Sequence, residues 1–439
     1  MKNDDNAITP FAITDFRNAR TRFGIKDKDR AGHMYILGKT GTGKSTLIQN
    51  MAGSDIRRGH GVALIDPHGD LTEAVLRLVP KRRVKDVIYF NPTDTDYPIA
   101  FNPMEKVELN KYHLITSSLI TVFKKVSGDF WGPRMEHILR NSILALLEQP
   151  QSTLLDIPLL LTDKYFRGDI IGRITNQVVQ NFWLLEFEKY SAWLRSDATA
   201  PILNRIGQFL SSPLIRNIVC QQKSAFNLRE VIDEGKILIV DLSKGKIGED
   251  NCSLLGSLLV IKLQLAALSR ADIPEENRRP FHLFIDEIHS FLTMSFIDIL
   301  SEARKYKLYL ALSHQYIEQL DERVRAAIIG NVGTIISFRV GAEDAKFLAK
   351  EFYPTFSETD FVNIPNYHIY LKMMIDGHTS NAFSAITLPP TPAKKTYKDE
   401  IMELSRKSYG TPITEVERQI ILSPTQNEKM LPDKQATLF

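Results

Sequence analysis

Cysteine is nearly absent: the 439 residues hold two, Cys220 and Cys252, far apart and in no Cys-x-x-Cys pair. That argues against a disulfide framework and a cysteine zinc site, and it fits a reducing cytosol. An excess of one charge is missing too. The 55 Lys and Arg face 52 Asp and Glu, a net charge of +3. Nucleic acid cannot be held by a global field here, so any such contact must come from local clusters. No run of about 18 purely apolar residues occurs. The longest greasy stretch, "CSLLGSLLVIKLQLAALSRA" (Cys252 to Ala271), contains Lys262 and Gln264 and is expected to be a buried helix. The N-terminus, "MKNDDNAITPFAITDF", is polar and acidic, unlike a signal peptide. If the protein works at a membrane, something else brings it there. No internal repeat is found.

What is present is an ordinary globular balance, 43% hydrophobic and 24% charged, with length for two to three domains. The first segment alternates short apolar runs with helix-period stretches. "HMYILG" (His33 to Gly38), "GVALID" (Gly61 to Asp66) and "DVIYFNP" (Asp86 to Pro92) read as strands, and the helix after the first is closed by Gly59. Such alternation predicts an α/β fold with a mostly parallel sheet and crossover helices. Strand signals then vanish. "KYHLITSSLITVFKKV", "PRMEHILRNSILALLEQ", "NQVVQNFWLLEFEKYSAWL" and "APILNRIGQFLSS" are helical patterns. Met135, Leu139, Ser142 and Leu146 would share one helix face, with Ile138 and Ala145 beside it. The alternation resumes at "KILIVDLS" (Lys236 to Ser243) and runs through "FHLFIDE", "LYLALSH", "GTIISFRV", "YHIYLKMM" and "AFSAITL". The expectation is a discontinuous nucleotide domain over 1–105 and 235–392. An all-α insertion over 106–234 interrupts it, and a polar tail over 393–439 follows. In that tail "YKDEIMELSRKSYG" reads as one exposed helix, and the last residues as flexible.

Between the first strand and the first helix stands "GKTGTGKST": Gly38, Lys39, Thr40, Gly41, Thr42, Gly43, Lys44, Ser45 and Thr46. It matches G-x-x-x-x-G-K-[ST] with both flanks correct. Its glycines let backbone N–H groups turn inward around phosphates, and the helix N-terminus adds partial positive charge. Lys44 is expected on the β- and γ-phosphates of ATP, and Ser45 on Mg²⁺. The metal needs a second anchor. "FHLFIDE" is an apolar strand ending in Asp286 and Glu287. Asp286 is expected in the Mg²⁺ shell, and Glu287 on the attacking water. Asp241 in "LIVDL" is a rival aspartate, but no glutamate follows it. "DEIH" invites a helicase reading, yet no second set of helicase motifs follows and His289 stands alone.

Just past "LYLALSH" stands Gln315, a candidate to sense the γ-phosphate, with Ser313 and His314 as competitors. Arg304 precedes that strand and Arg339 ends the next one. Either could serve as the arginine that a neighbouring subunit inserts to stabilise transition-state charge.

In this order the motifs resemble the HerA/FtsK superfamily of DNA-pumping ATPases, and more closely the type IV secretion coupling proteins of the TraG/TraD kind. The phosphate loop comes first. "ALIDPHGDL" (Ala63 to Leu71) follows, with Asp66 and His68 implied near the nucleotide. "FNPM" (Phe101 to Met104) marks entry to an all-α insertion, and "FWGPRMEHILRNSILALL" resembles its central helix. "LIVDLSKGKIGEDN", "LFIDEIHSF", "ARKYKLYLALSHQ" and "NVGTIISFRVGAEDA" complete the series. The resemblance supports Arg304 with Gln315. It implies a RecA-like P-loop NTPase domain, a ring that is usually a hexamer, ATP at subunit interfaces and DNA in the channel. Relaxosome or type IV secretion components are the implied partners. Coupling proteins carry an N-terminal membrane anchor. Here 37 residues precede Gly38 and form no span, so the expectation is a cytoplasmic protein brought to the inner membrane, if at all, by partners.

Lys244 and Lys246 in "SKGKIGEDN" are the first candidates for a DNA-contacting loop, with flexibility expected from Gly245 and Gly248. "VPKRRVK" (Val79 to Lys85) is a denser basic run, better suited to an exposed loop or a rim. The reading is an ATP-hydrolysing DNA translocase or coupling ATPase. The rivals are a HerA-like DNA-processing translocase, a secretion ATPase acting on protein, and a nucleotide-gated adaptor.

Overall fold

The computed structural model describes residues 6–15, 20–105, 108–393 and 395–421. They divide into two compact units, Met1–Phe90 with Asn227–Ser405, and Asn91–Phe226 with Arg406–Phe439.

The first unit is built on an eleven-stranded sheet. Its strands are β1 (Ile8–Thr14), β2 (Arg22–Lys26), β3 (Met34–Leu37), β4 (Gly61–Asp66), β5 (Val87–Phe90), β6 (Ile237–Asp241), β7 (Phe281–Ile285), β8 (Leu308–His314), β9 (Thr334–Ser337) and β10 (His368–Lys372). A two-stranded ribbon, β11 (Met374–Ile375) with β12 (His378–Thr379), comes before the last sheet strand, β13 (Phe383–Thr387). The order is β2-β1-β13-β10-β9-β3-β8-β7-β4-β6-β5. From β9 to β5 the strands are parallel. β3, β4, β6 and β7 are buried at every residue, as a sheet covered on both faces requires. The four strands at the other edge are antiparallel. β10 accordingly alternates buried and half-buried positions.

Each strand expected from the apolar runs is present. The β1–β2 hairpin is additional, because two short strands interrupted by Pro10 and Gly24 give little periodic signal. Gly24 is needed there: a Cβ would lie 2.0 Å from the Thr9 carbonyl. The greasy stretch forms the helix Glu249–Leu268. With its following turn it is the one helix among the described residues long and apolar enough to cross a bilayer. Yet 67% of the stretch is buried, as befits a core helix.

The second unit is helical, over Tyr112–Ser127, Pro133–Leu147, Asp156–Thr162, Lys164–Arg173, Ala192–Leu210 and Pro213–Val219, with shorter turns. Met135, Ile138, Leu139, Ser142, Ala145 and Leu146 are all buried on the helix Pro133–Leu147. The apolar run from Asn176 is not one helix. It breaks into Gln177–Asn181, a π turn at Phe182–Glu186 and a 3₁₀ turn at Phe187–Lys189. A new helix then starts at Ala192, where the Ser191 hydroxyl accepts from Leu194 N.

The unit borders differ from the expected 105/106 and 234/235. The helical unit begins at Asn91, and the nucleotide unit resumes at Asn227. The helix Leu228–Glu234 belongs to the sheet unit, where it buries Leu228, Val231 and Ile232. The tail is also less separate than expected. The helix Lys398–Tyr409 is not an exposed one: Ile401 is fully buried in the sheet unit's core, and Ser405 Oγ accepts from Tyr89 N at 2.9 Å. A second helix, Ile413–Ile421, follows. The stretch expected to be flexible lies outside the described residues.

Candidate active site

β3 lies between β8 and β9, with Leu37 opposite both His314 and Ser337. The loop that leaves it is therefore pinned from both sides. Gly38 N donates to His314 O at 3.2 Å and Lys39 N to Arg339 O at 2.9 Å. Two glycines are obligatory. A Cβ on Gly38 would meet Phe338 Cβ at 2.5 Å, and Gly43 has φ +123° between the rings of Phe338 and Tyr367. The helix Lys44–Arg58 starts immediately, with no side-chain cap on its first amides. Its N-terminal N–H groups are thus left for an anion. The Lys44 ammonium, buried within the loop, donates to the carbonyls of Gly38 and Lys39. Burial lowers its pKa, while Glu287 and Asp286 oppose the shift. Thr42 Oγ1 closes the loop on Lys39 O at 2.7 Å. Ser45 is exposed at the helix start and Thr46 is half-buried behind it.

The carboxylates arrive from β7. Asp286 N donates to Ile65 O at 3.0 Å, and Ser313 Oγ donates to Asp286 Oδ1. Glu287 follows in the left-handed region, φ +45°. The helix Glu249–Leu268 braces this turn, through Ser253 Oγ on Ser290 O at 2.9 Å and Ser257 Oγ on Phe291 O at 3.0 Å. The side chain of Glu287 is buried. Its Oε1 accepts from Gln315 Nε2. Its Oε2 is buried and among the described residues accepts no hydrogen bond, with His289 Nδ1 3.5 Å away. Burial and the Asp286 charge raise its pKa, against Gln315, Lys44 and His68.

Gln315 also accepts from Thr40 Oγ1 at 2.9 Å. It therefore bridges the phosphate loop and Glu287. Its competitors are spent elsewhere. Ser313 holds Asp286, and His314 lies buried between Tyr35 (3.3 Å) and Gln319 (3.1 Å).

Asp66 lies near Asp286, whose charge helps burial raise its pKa. Its carboxylate accepts the backbone amides of His68, Gly69, Leu71 and Thr72, and so builds the turn after β4. His68 is exposed beside it. Asp241, the rival aspartate, accepts from Tyr89 OH at 3.0 Å and from Ser243. Neither is free to replace Asp286.

The two arginines separate. Arg339, past the end of β9, stands beside its own chain's loop and donates to Asn366 Oδ1 at 2.8 Å. Arg304 lies in the turn Ala303–Tyr306 before β8, exposed, where its charge bears on His33. Seven strand residues, roughly 20 Å, separate it from Gln315. It cannot reach its own chain's loop.

Lys244 and Lys246 do not lie in an open flexible loop. They form a helical turn, Lys244–Ile247, anchored by Lys244 N on Pro67 O at 2.8 Å and by buried Ile247. Lys246 is exposed and Lys244 half-buried. In "VPKRRVK", Arg83 is buried and donates to Ile56 O, His60 O and Gly235 O, so that run is partly structural. Two residues near the loop went unread in the sequence, Asn366 and Tyr367. Tyr367 N donates to Thr42 O at 2.8 Å.

Among the described residues no group of three or more His, Cys, Asp or Glu could hold a metal by itself. One carboxylate, one exposed hydroxyl and a row of amides instead suit Mg²⁺ carried with phosphates, which keeps most of its shell from water and ligand. The buried Glu287 Oε2 without a hydrogen bond, aimed beside that carboxylate, suits a bound water.

A sequence profile described as the type IV secretion-system coupling protein DNA-binding domain matches residues 23–353. The fold is similar to that of the bacterial conjugative coupling protein TrwBdeltaN70, with TM-score 0.62 and 17% identity over 89% of each chain. It is similar also to the plasmid coupling protein TrwB in complex with ADP and Mg²⁺, with TM-score 0.63 and 18% identity over 88% of this chain and 96% of that one. VirB4 of Thermoanaerobacter pseudethanolicus has TM-score 0.55 and 14% identity over 91% and 99%. No curated protein sequence matches.

Proposed function

The chain belongs to the family of the type IV secretion-system coupling protein DNA-binding domain, and from that premise we propose that it is an ATP-hydrolysing coupling ATPase that moves or delivers DNA. One observation carries the hydrolytic part: Gln315 joins the phosphate loop to Glu287, and the Glu287 and Asp286 charges bear on Lys44 within that loop. The similar TrwB structures with ADP and Mg²⁺ and with an ATP analogue support ATP and Mg²⁺ as ligands.

In this reading the loop amides and Lys44 hold the phosphates, and Ser45 and Asp286 hold the metal. Mg²⁺ would supply charge neutralisation on the β- and γ-oxygens. Glu287 Oε2 takes the proton of the attacking water, and a raised pKa suits a base working near neutral pH. Gln315, tied to both Thr40 and Glu287, fixes the distance between loop and base. A purely nucleotide-gated adaptor has no use for a buried carboxylate oxygen lacking a hydrogen bond at that place.

Arg304 is exposed and out of reach of its own loop, so it serves a neighbour's, in a ring of copies. Arg339 serves its own. Exposed Lys246, on the turn after β6, is the candidate DNA contact, sequence-independent and salt-sensitive. Relaxosome or secretion-channel components are the expected partners.

ATPase rate at low salt, with and without DNA, alongside the mass of the assembly, tests the reading. DNA stimulation together with a ring-sized mass supports it. A rate indifferent to single- and double-stranded DNA would favour a protein cargo.

A further inference from the structure

We propose that Tyr367 is the platform for the base of the bound nucleotide, an assignment that rests on the reading of the loop as an ATP site. Tyr367 has φ +68°, an outlier for an aromatic residue. Such a backbone persists only where its surroundings over-determine it. Here they do. Its N–H donates to Thr42 O at 2.8 Å, and its carbonyl accepts from Thr387 N at 2.8 Å and Thr387 Oγ1 at 3.0 Å. Those bonds use the backbone alone. The residue is nevertheless left 51% exposed, although its backbone is clamped directly onto the phosphate loop. It lies against Gly43, where a Cβ would come within 3.0 Å of Tyr367 Cδ1.

The sheet order decides which end of a nucleotide this ring would meet. Glu287 and Gln315 reach the loop from β7 and β8, on one side of β3. Tyr367 enters from the start of β10, beyond β9, on the other side. A triphosphate whose terminal phosphate points to Glu287 must run its ribose and base toward the β9–β10 flank. An exposed ring fixed there presents a π-face, and every base offers one in return. Arg339, held by Asn366 on the same flank, gives that shelf a polar rim. No side chain of this shelf is arranged to choose between purines, so ATP and GTP should be affected alike.

The test is equilibrium binding of ATP, GTP and inorganic tripolyphosphate, each with Mg²⁺, to the full chain. Tyr367→Asn removes the ring but tolerates the left-handed backbone, and Tyr367→Phe restores the ring. The expected result is about tenfold weaker ATP and GTP binding in Tyr367→Asn, tripolyphosphate binding within about twofold of the parent, and recovery in Tyr367→Phe. Unchanged ATP affinity in Tyr367→Asn would overturn the proposal. So would an equal loss of tripolyphosphate, since the residue would then only clamp the loop. A folded parent chain that binds neither ATP nor tripolyphosphate would instead sink the phosphate-loop reading beneath it.

Discussion

The nucleotide unit buries Lys44, Asp286 and Glu287 around one loop, whereas the helical unit buries its charged groups one at a time. In the helical unit Arg167 donates to Glu188 Oε1 at 2.9 Å and to the carbonyls of Leu160 and Leu161. Asp156 accepts from Thr153 N at 2.7 Å and closes the entry to its helix. These groups complete the backbone around them. In the nucleotide unit Gln315 ties Thr40 of the phosphate loop to Glu287, joining segments far apart in sequence, and among the described residues a buried Glu287 oxygen accepts no hydrogen bond. Burial alone therefore does not mark chemistry; convergence with a spare bonding position does. The helical unit also leaves large apolar side chains outside: Phe130 is 88% exposed, Tyr165 86% and Trp193 75%.

Assembly offers the strongest test of this contrast. Arg304→Ala should lower kcat by about 10³-fold or more if it stabilises transition-state charge across an interface. Mixing Arg304→Ala subunits with Glu287→Gln subunits should restore part of the rate, because some interfaces then pair an intact arginine with an intact base. Arg339→Ala in the same mixture should restore nothing beyond its own residual rate, since it acts on its own chain's loop. Equal rescue by both would erase the distinction between them.

A core truncation should separate the units next. Trp183 is fully buried among Phe182 and Phe187. Trp183→Ala should cost the helical unit about 3–5 kcal/mol, read by denaturant unfolding, with ATP binding by the folded protein retained. Loss of ATP binding before unfolding would show the site to depend on the helical unit.

Acid should act on the units in opposite directions. Burial lowers the pKa of His33 to about 4 and of His314 to about 3. The unfolded chain takes those protons from about pH 6.5 downward. The folded unit resists until far lower pH, so it loses stability as pH falls from 6.5 toward 4. Asp66, pushed up to about 6 by burial, offsets part of this. In the helical unit both histidines, His113 and His137, are exposed. Asp156 there is raised to about 6 by burial, so the folded unit binds its proton first and gains stability over the same range. All three tryptophans, Trp131, Trp183 and Trp193, lie in the helical unit. At pH 5 the tryptophan-fluorescence melt should thus trail the loss of nucleotide binding. Coincident transitions at every pH would contradict this.

The smallest effects belong to the exposed aromatics. Phe130→Ser and Trp193→Ser should change stability by no more than about 0.5 kcal/mol and leave ATP hydrolysis without DNA unchanged. A change in basal hydrolysis would tie that surface to the site.

Much of the site was legible because its parts are local. The phosphate loop announces itself between an apolar strand and a helix, and Asp286 and Glu287 end an apolar run. What escaped is what the fold brings together from afar. Tyr367 sits on Gly43 through a pairing of distant segments and a positive φ that no periodicity marks. Arg304 and Gln315 are eleven positions apart and look like neighbours, yet a seven-residue strand holds them at its opposite ends. The run from Asn176 is apolar enough to pass for one helix, but aromatic packing of Phe182, Trp183 and Phe187 breaks it. The β1–β2 hairpin was missed for want of length. Asp66 matched a family motif, but that its carboxylate takes four backbone amides and builds the turn after β4 is not legible in the motif.

The hydrolytic assignment of Glu287 is tested most directly by single-turnover hydrolysis of ATP by Glu287→Gln beside the parent chain, with ATP affinity measured on both. The account predicts retained ATP binding with hydrolysis slowed by about 10²–10⁴-fold. Hydrolysis at the parent rate with the glutamine in place would contradict it.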